Sequence, residues 1–507
     1  MEMRAVLLFK LVKRIIFVPL ISLLSFLIAN AYANDEDTQL RLEQQAEQGL
    51  QKKEQAILQD EMAREARDSK LTINGRTYHV NNNVNELGRA LYLAVQHKMW
   101  PAVKEFLPRY QAIVTHDLML VLYAEGGLAR HAGNLTQAEN KYRQLLILKP
   151  DFILAKLELA RVLFENHKNN EAAKQFAEIE KFIPKYDPKT QGVQATIAAY
   201  SKAIRNRDEW HGFFSFGPSF DSNINQASGL TDRVLTSPFV TPSMGVGIET
   251  SLERRWSLSN HNGIQWRTLL FASNYYGESY VTLVDRRNKK LRDHSEFSQG
   301  TYITKLGYSY KEAKNQLFIA PLFELKLLDK KAFFTSVGLT AEWLRFISPT
   351  TMMKLELNYK KQEFIKPDLR LQNGIDFSSY FTLWKRVSDK LTMFGGMDYS
   401  QKRARDTNFN SDNFGLRLGL SYPLTDGINT TVFSSFRNQS FKGYNAFFRD
   451  TRKDNTQNYT IIVKAPKHEF AGLVPSLQLN YGRSQSSHAV LYSFDKHAVH
   501  FKLEKQF

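Results

Sequence analysis

The chain has 507 residues, a formal net charge of +17 and a pI near 9.6, a length that accommodates two or three domains. It contains no cysteine, which excludes disulfides and thiolate metal sites. Its basic residues are spread over the whole length without a single tract, so they read as solvated faces and no nucleic-acid partner is expected.

Residues 1–33 read as a secretory signal. Arg4, Lys10, Lys13 and Arg14 precede an apolar run over 15–28, too short for a membrane span, and Ala31 and Ala33 supply the small residues that a signal peptidase reads. Cleavage there predicts a mature start near Asn34. No later stretch reaches the ~20 apolar residues of a membrane helix. Residues 34–70 are rich in Glu, Gln, Lys and Ala, and predict an exposed helix or partly disordered leader with no readable role.

Over 71–207 the apolar residues fall at helical spacing and repeat. Ala138, Tyr142, Leu145 and Pro150 return 34 residues later as Ala172, Phe176, Ile179 and Pro184, and Gly126 is answered by Ala160. Small residues where two helices touch, an aromatic between them and a proline after the second helix are the marks of tetratricopeptide repeats. Ala102 with Phe106 reads as a degenerate earlier copy, and 194–204 as a closing helix. Such repeats stack into a concave groove, here expected to present Tyr123, Arg130, His131, Leu157, Arg161 and Glu165 to a polypeptide. The plainer alternative is a rigid spacer with a solvated groove.

From 208 to 507 the period falls to two. Phe414, Leu416, Leu418, Leu420 and Tyr422 alternate with Gly415, Arg417, Gly419 and Ser421; Met353, Leu355, Leu357 and Tyr359 alternate with Lys354, Glu356, Asn358 and Lys360. A strand sends successive side chains to opposite faces, so these segments are oily on one side and polar on the other. About fourteen such strands, from 211–221 to 495–507, fit an antiparallel outer-membrane barrel with lipid outside and water inside. The expected fold is therefore α + transmembrane β, a helical repeat domain followed by a barrel. Long and short connections largely alternate, which puts the repeat domain and the C-terminus in the periplasm of a Gram-negative cell; the short link 328–331 breaks that alternation. In the last strand Val499, Phe501, Leu503 and Phe507 share a face, the form of signal that barrel-insertion machinery reads.

No HExxH, GxSxG or P-loop pattern and no Cys/His cluster occurs, so no enzyme activity, metal or cofactor is expected. Asp221-Ser-Asn223-Ile-Asn225 starts like a calcium loop, but Gln226 stands where the loop needs glycine.

The run Gly133-Asn-Leu-Thr-Gln-Ala138 leading to Leu148-Lys-Pro-Asp151, then Trp210-His-Gly-Phe-Phe-Ser-Phe-Gly217 and the Asp221–Asn225 stretch, resembles in order and spacing the surface lipoprotein assembly modulator family. The resemblance runs from about residue 72 to the end. It implies a translocon that moves client proteins to the cell surface: lipoproteins, often receptors for iron or haem carriers, or soluble haem-binding proteins. The repeat domain is then implied to engage the client. The other expected partners are outer-membrane lipids and the insertion machinery, with the chain itself a monomer. A polysaccharide-export porin also joins such repeats to a barrel and is the rival reading, although such porins carry many more repeats.

Overall fold

The computed structural model describes residues 31–68, 83–184, 190–231, 237–282, 289–445 and 448–507, with 187 and 235 besides. The signal-peptide reading of 1–30 and the opening of the repeat domain at 71–82 lie outside the described residues. Ala31 and Ala33 fall in the first turn of the first described helix.

That helix, α1 (Ala31–Asp68), is followed by α2 (Val84–Gln96), α3 (Trp100–Gln111), α4 (Leu118–His131), α5 (Leu135–Leu148), α6 (Ile153–Glu165), α7 (Asn169–Phe182) and α8 (Gln191–Arg207). Helices α2 to α7 form three antiparallel pairs. Each pair turns at one residue of left-handed backbone: Lys98 (φ 53°), Gly133 (φ 72°) and His167 (φ 57°). The hydrogen bonds of the three turns are the same. The left-handed residue donates to the carbonyl three back (Val95, Arg130, Phe164), and the next residue donates to the carbonyl five back (Ala94, Ala129, Leu163). This is the Schellman closure of a helix end, and it recurs at spacings of 35 and 34 residues.

The repeat signature behaves as the spacing demands. Ala138, Ala160, Ala172, Phe176 and Ile179 are fully buried and Tyr142 nearly so, in one core that runs on into Tyr200 and Ile204 of α8. A Cβ at Gly126 would sit 2.8 Å from the Tyr142 ring, so only glycine admits that ring between α4 and α5. Pro150 and Pro184 follow the ends of α5 and α7, where a missing N–H breaks no helical bond. The degenerate first copy is confirmed, but its frame is off by one residue. Val103 and Leu107 occupy the buried positions, while Ala102 and Phe106 pack only from the flank. The 35-residue first spacing, against 34 for the second, is the reason.

Fourteen strands then close a barrel in which each pairs antiparallel with its neighbours. They are β1 (Trp210–Asp221), β2 (Ser243–Ser257), β3 (Asn262–Tyr276), β6 (Gln299–Lys311), β7 (Asn315–Leu328), β8 (Lys331–Ser348), β9 (Thr351–Phe364), β10 (Gly374–Arg386), β11 (Thr392–Ala404), β12 (Ser411–Thr425), β13 (Ile428–Asn445), β14 (Asp450–Lys464), β15 (Val474–Ser486) and β16 (Phe494–Gln506). A hairpin outside the barrel wall, β4 (Glu278–Thr282) and β5 (Lys289–Asp293), rises from the long link after β3. Helix α8 runs straight into β1, so the repeat domain and the C-terminus lie at one end of the barrel, called here the near end. The short link after β7 is real: Asp329 and Lys330 both adopt positive φ in a two-residue hairpin turn at the far end. The expected long link over 441–455 is mostly strand, because β13 and β14 pair as far as Asn445 and Asp450.

Alternation puts Leu306, Tyr308, Leu357, Tyr359, Phe414, Leu418, Leu420 and Tyr422 outside, all exposed large apolar side chains. Lys354, Glu356 and Asn358 point inward and are buried. The expectation of a water-filled interior is corrected here. The inward charges pair with one another and with a helix: the stretch expected as an exposed helix or partly disordered leader is helical as far as Asp68 in α1, but its first turns occupy the lumen and are not exposed.

Candidate functional site: a plugged lumen beside a helical groove

Ala, Glu, Gln, Lys and Leu make α1 a strong helix former. From Asp35 to Glu47 it descends the barrel lumen over about 20 Å, meeting the inner wall on several sides. At the far end, Asp35 pairs with Lys326 of β7 and accepts from the Thr301 hydroxyl at 3.1 Å. Asp37 takes Arg437 and Ser435 of β13, each at 2.6 Å, and Asn458 of β14 at 3.3 Å. Midway, Leu42 is fully buried against Phe213, Leu269, Phe271, Ile303 and Leu322, an apolar patch on an otherwise polar wall. Its neighbour Glu43 bridges Lys305 (3.1 Å) and Lys354 (3.3 Å), which Glu342 and Glu356 also hold. Arg41 reaches Glu249 of β2 at 2.7 Å, a carboxylate shared with Lys502 of β16.

A cavity of about 140 Å³, open to solvent, remains beside the first turns of α1 and is lined by Glu36, Gln39, Lys360, Lys402 and Arg437. The lumen is therefore wide enough for a helix plus solvent, and α1 fills its centre.

Where α1 leaves the near end it meets Arg207, the last residue of α8. That guanidinium donates twice to Glu54 (2.8 Å each), to the Phe164 carbonyl (2.8 Å) and to Asn169 (2.9 Å), and lies 3.7 Å from the centre of the Phe164 ring. Asn169 in turn donates to Ser257 at the near end of β2, whose hydroxyl donates to Asp208 at 2.8 Å. Plug, repeats and barrel thus meet at one arginine. Burial pushes the Glu54 carboxyl upward, but Arg207 outweighs it and holds the group below its ordinary value. His167, in the turn beside this junction, is held well below the usual imidazole range by burial and by the positive charges of Arg207, Lys311 and Arg255.

The six residues expected in the groove divide. Arg130 donates to Glu165 (2.9 Å) and to Glu158 (3.0 Å), and Arg161 donates to Glu158 at 2.6 Å, so three of the six are joined through a fourth residue that the sequence reading missed. Burial raises Glu158, and the two arginines overcome this and lower it. Tyr123 is half-buried against Tyr142 and Phe152. His131 stacks on Trp100 instead of joining the cluster. Leu157 is buried among the core residues and offers no surface to a partner, because its side of α6 faces inward.

At the other end of the chain, Val499 and Phe501 are exposed and Leu503 half-exposed on the outer face of β16, and Phe507, just past the strand, is exposed. The Asp221–Asn225 stretch needs no cation. The Asp221 carboxylate accepts from the Tyr275 hydroxyl at 2.9 Å and pairs with Lys496, and Asn223 and Asn225 bond carbonyls of the 222–242 link and of Asp495.

A family profile described as "Surface lipoprotein assembly modifier" matches residues 210–507, and one described as "Surface lipoprotein assembly modifier, N-terminal TPR repeats" matches 73–176. The "Hemophilin secretion modulator" of Acinetobacter baumannii is 35% identical over 93% of this chain and 96% of its own. The "Surface lipoprotein assembly modifier" of Pasteurella multocida is 22% identical over 83% of this chain and 82% of its own. "Surface lipoprotein assembly modifier 1" of Neisseria meningitidis serogroup B is 25% identical over 86% of each. With a barrel matched throughout and the repeat region matched before it, the chain belongs to the surface lipoprotein assembly modifier family.

Proposed function

We propose that this chain is an outer-membrane translocon that takes a client protein from the periplasm at the near end, through engagement by the helical repeats, and delivers it to the cell surface at the far end. The observation that carries the reading is a closed barrel whose lumen holds a helix that is not part of the wall, with a repeat domain at the end where that helix leaves. The name of the Acinetobacter relative ties that protein to the secretion of hemophilin, and the other relatives' names tie them to surface lipoproteins. The client here is taken to be a protein of one of these two kinds.

Size argues that the client crosses unfolded. A folded domain of ~100 residues has a radius of gyration near 13 Å, and a fourteen-stranded barrel is narrower than the 16–18-stranded porins. Folding outside, worth roughly 5–15 kcal/mol, biases the direction without any nucleotide. An acyl anchor follows another path: each CH₂ kept in lipid is worth ~0.8 kcal/mol, so the chains slide through a gap between strands and not through a polar lumen.

The test is reconstitution in a laboratory bacterium with and without a candidate client encoded beside this chain, read by protease shaving of intact cells. Client exposed only when this chain is present supports the reading. Client that remains shielded while the barrel is correctly inserted refutes it.

A further inference from the structure

The lumen wall is built like a receptor for a particular kind of helix. Leu42 occupies a dry pocket of five apolar side chains, an arrangement that a water-filled pore does not need. Cations stand opposite the helix's carboxylates around the wall: Lys326 and Arg437 toward the far end, on opposite walls, and Lys305 and Lys354 nearer the pocket. Among the described residues, Lys326 finds its carboxylate in Asp35. Without α1 that ammonium and the Leu42 pocket would face water, while Lys305 and Lys354 would still have Glu342 and Glu356. The wall is thus made for an apolar anchor with acidic groups seven and five residues before it and one and five residues after it, spacings that spread the carboxylates around the helix toward different strands of the wall.

We propose that this surface is a binding site for an acidic helical segment of the passing polypeptide that carries one apolar anchor, and that residues 35–47 occupy it at rest as an internal stand-in. The site rests on the translocon reading for its biological meaning. The exchange needs no energy source. An acidic client segment delivered at high local concentration by the neighbouring repeats replaces one set of ion pairs and one buried leucine by an equivalent set, so the lumen is never left with unpaired buried charge. The client then enters a lumen already neutralised for it, and α1 returns when the acidic segment has passed.

The test uses the full-length protein in nanodiscs and two labelled peptides: one with the sequence of residues 34–50, and the same peptide with Asp35, Asp37, Glu43 and Glu47 replaced by lysine. The chain has no cysteine of its own, so D37C/S435C, built where the two side chains meet at 2.6 Å, can lock or release the plug. Reduced, this variant keeps the Asp35–Lys326 pair but has lost the Asp37 contacts to Arg437, Ser435 and Asn458, and is expected to bind the acidic peptide. Oxidised, it is expected to bind about tenfold less or not at all, and the lysine peptide is expected to bind neither form. D35K/D37K, with its barrel checked by migration before and after boiling, is a second way of releasing the plug that requires no disulfide. Acidic and lysine peptides bound equally, or no peptide bound by either released form, would overturn the site. Because no client or export is involved, that result would leave the translocon reading standing, whereas the shaving experiment tests that reading alone.

Discussion

At Gly126 and Tyr142 a single hydrogen atom decides whether two helices can pack. Gly126→Ala places its Cβ against the Tyr142 ring, which is itself almost wholly buried, and overpacking of this kind costs about 1–3 kcal/mol. We expect a lower melting temperature of the helical far-ultraviolet signal, with part of the loss recovered in Gly126→Ala/Tyr142→Leu; full additivity of the two changes would show that they do not touch. His167 offers a pH test at the same scale. Its folded pKa lies below its ordinary value, so between those two values the unfolded chain binds the extra proton and stability rises with pH. The contribution is complete above an ordinary histidine pKa of about 6.5 and is lost as pH falls from there toward the folded value. The helical domain should therefore melt earlier at about pH 5.5 than at about 7.5. The difference should shrink in His167→Asn, since asparagine tolerates the left-handed backbone of that turn. An unchanged difference would assign the pH dependence to other groups.

Among the elements, α1 carries the most informative change. Leu42→Ala removes the anchor from a pocket that the barrel cannot collapse to refill, at a cost of about 2–5 kcal/mol of plug docking. The expected result is a rise in single-channel conductance of the purified barrel and faster protease cleavage near the start of α1, with barrel heat stability unchanged; a silent channel would mean that the charges alone hold the plug. This element is also where sequence reading fell short, and the reason is physical. Strands such as Phe414–Tyr422 announce themselves because lipid outside and polar groups inside impose period two on hydropathy. The repeats announce themselves because the same tight contacts recur at a fixed spacing. The partner of α1 is instead a polar wall, so its complementarity is written in the charges of Asp35, Asp37 and Glu43 and in one leucine, with no apolar stripe to find. Glu158 escaped for a similar reason: its role depends on two arginines that reach it from α4 and from its own helix.

At the scale of the molecule, plug, repeats and barrel are tied at Arg207. Arg207→Met would leave Glu54, Asn169 and the Phe164 carbonyl without their shared donor; because Glu54 keeps some contact with water, the cost is below the ~3–5 kcal/mol of a fully buried pair. We expect the variant to release α1 and loosen the repeats from the barrel together, seen as protease sensitivity appearing in both; release of one without the other would separate the two functions of the residue.

The barrel's closing seam supports one further prediction. β1 and β16 pair from Phe213 to Phe216 and again from Ser219 to Asp221, but not at Gly217 and Pro218. Proline has no N–H to give, and the Gly217 backbone lies so near the Phe501 carbonyl that a Cβ would overlap it. Such a break is not unique to the seam: β6 and β7 also skip a step, at Leu306–Gly307 opposite Ala320–Pro321. Two weak joints therefore compete as the way past the wall for an acyl chain. Cysteines at Ser219 and His500, which face each other in the register, lock the first joint, and cysteines at Tyr308 and Ile319 lock the second. If the seam opens, locking Ser219 to His500 should abolish surface delivery of a lipid-anchored client, leave delivery of the same client without its lipid intact, and be reversed by a reductant. The Tyr308–Ile319 lock should then have no effect. The opposite pattern would move the gate to β6 and β7, and undiminished delivery with both joints locked would mean that the anchor passes by the lumen after all, beside or in place of α1.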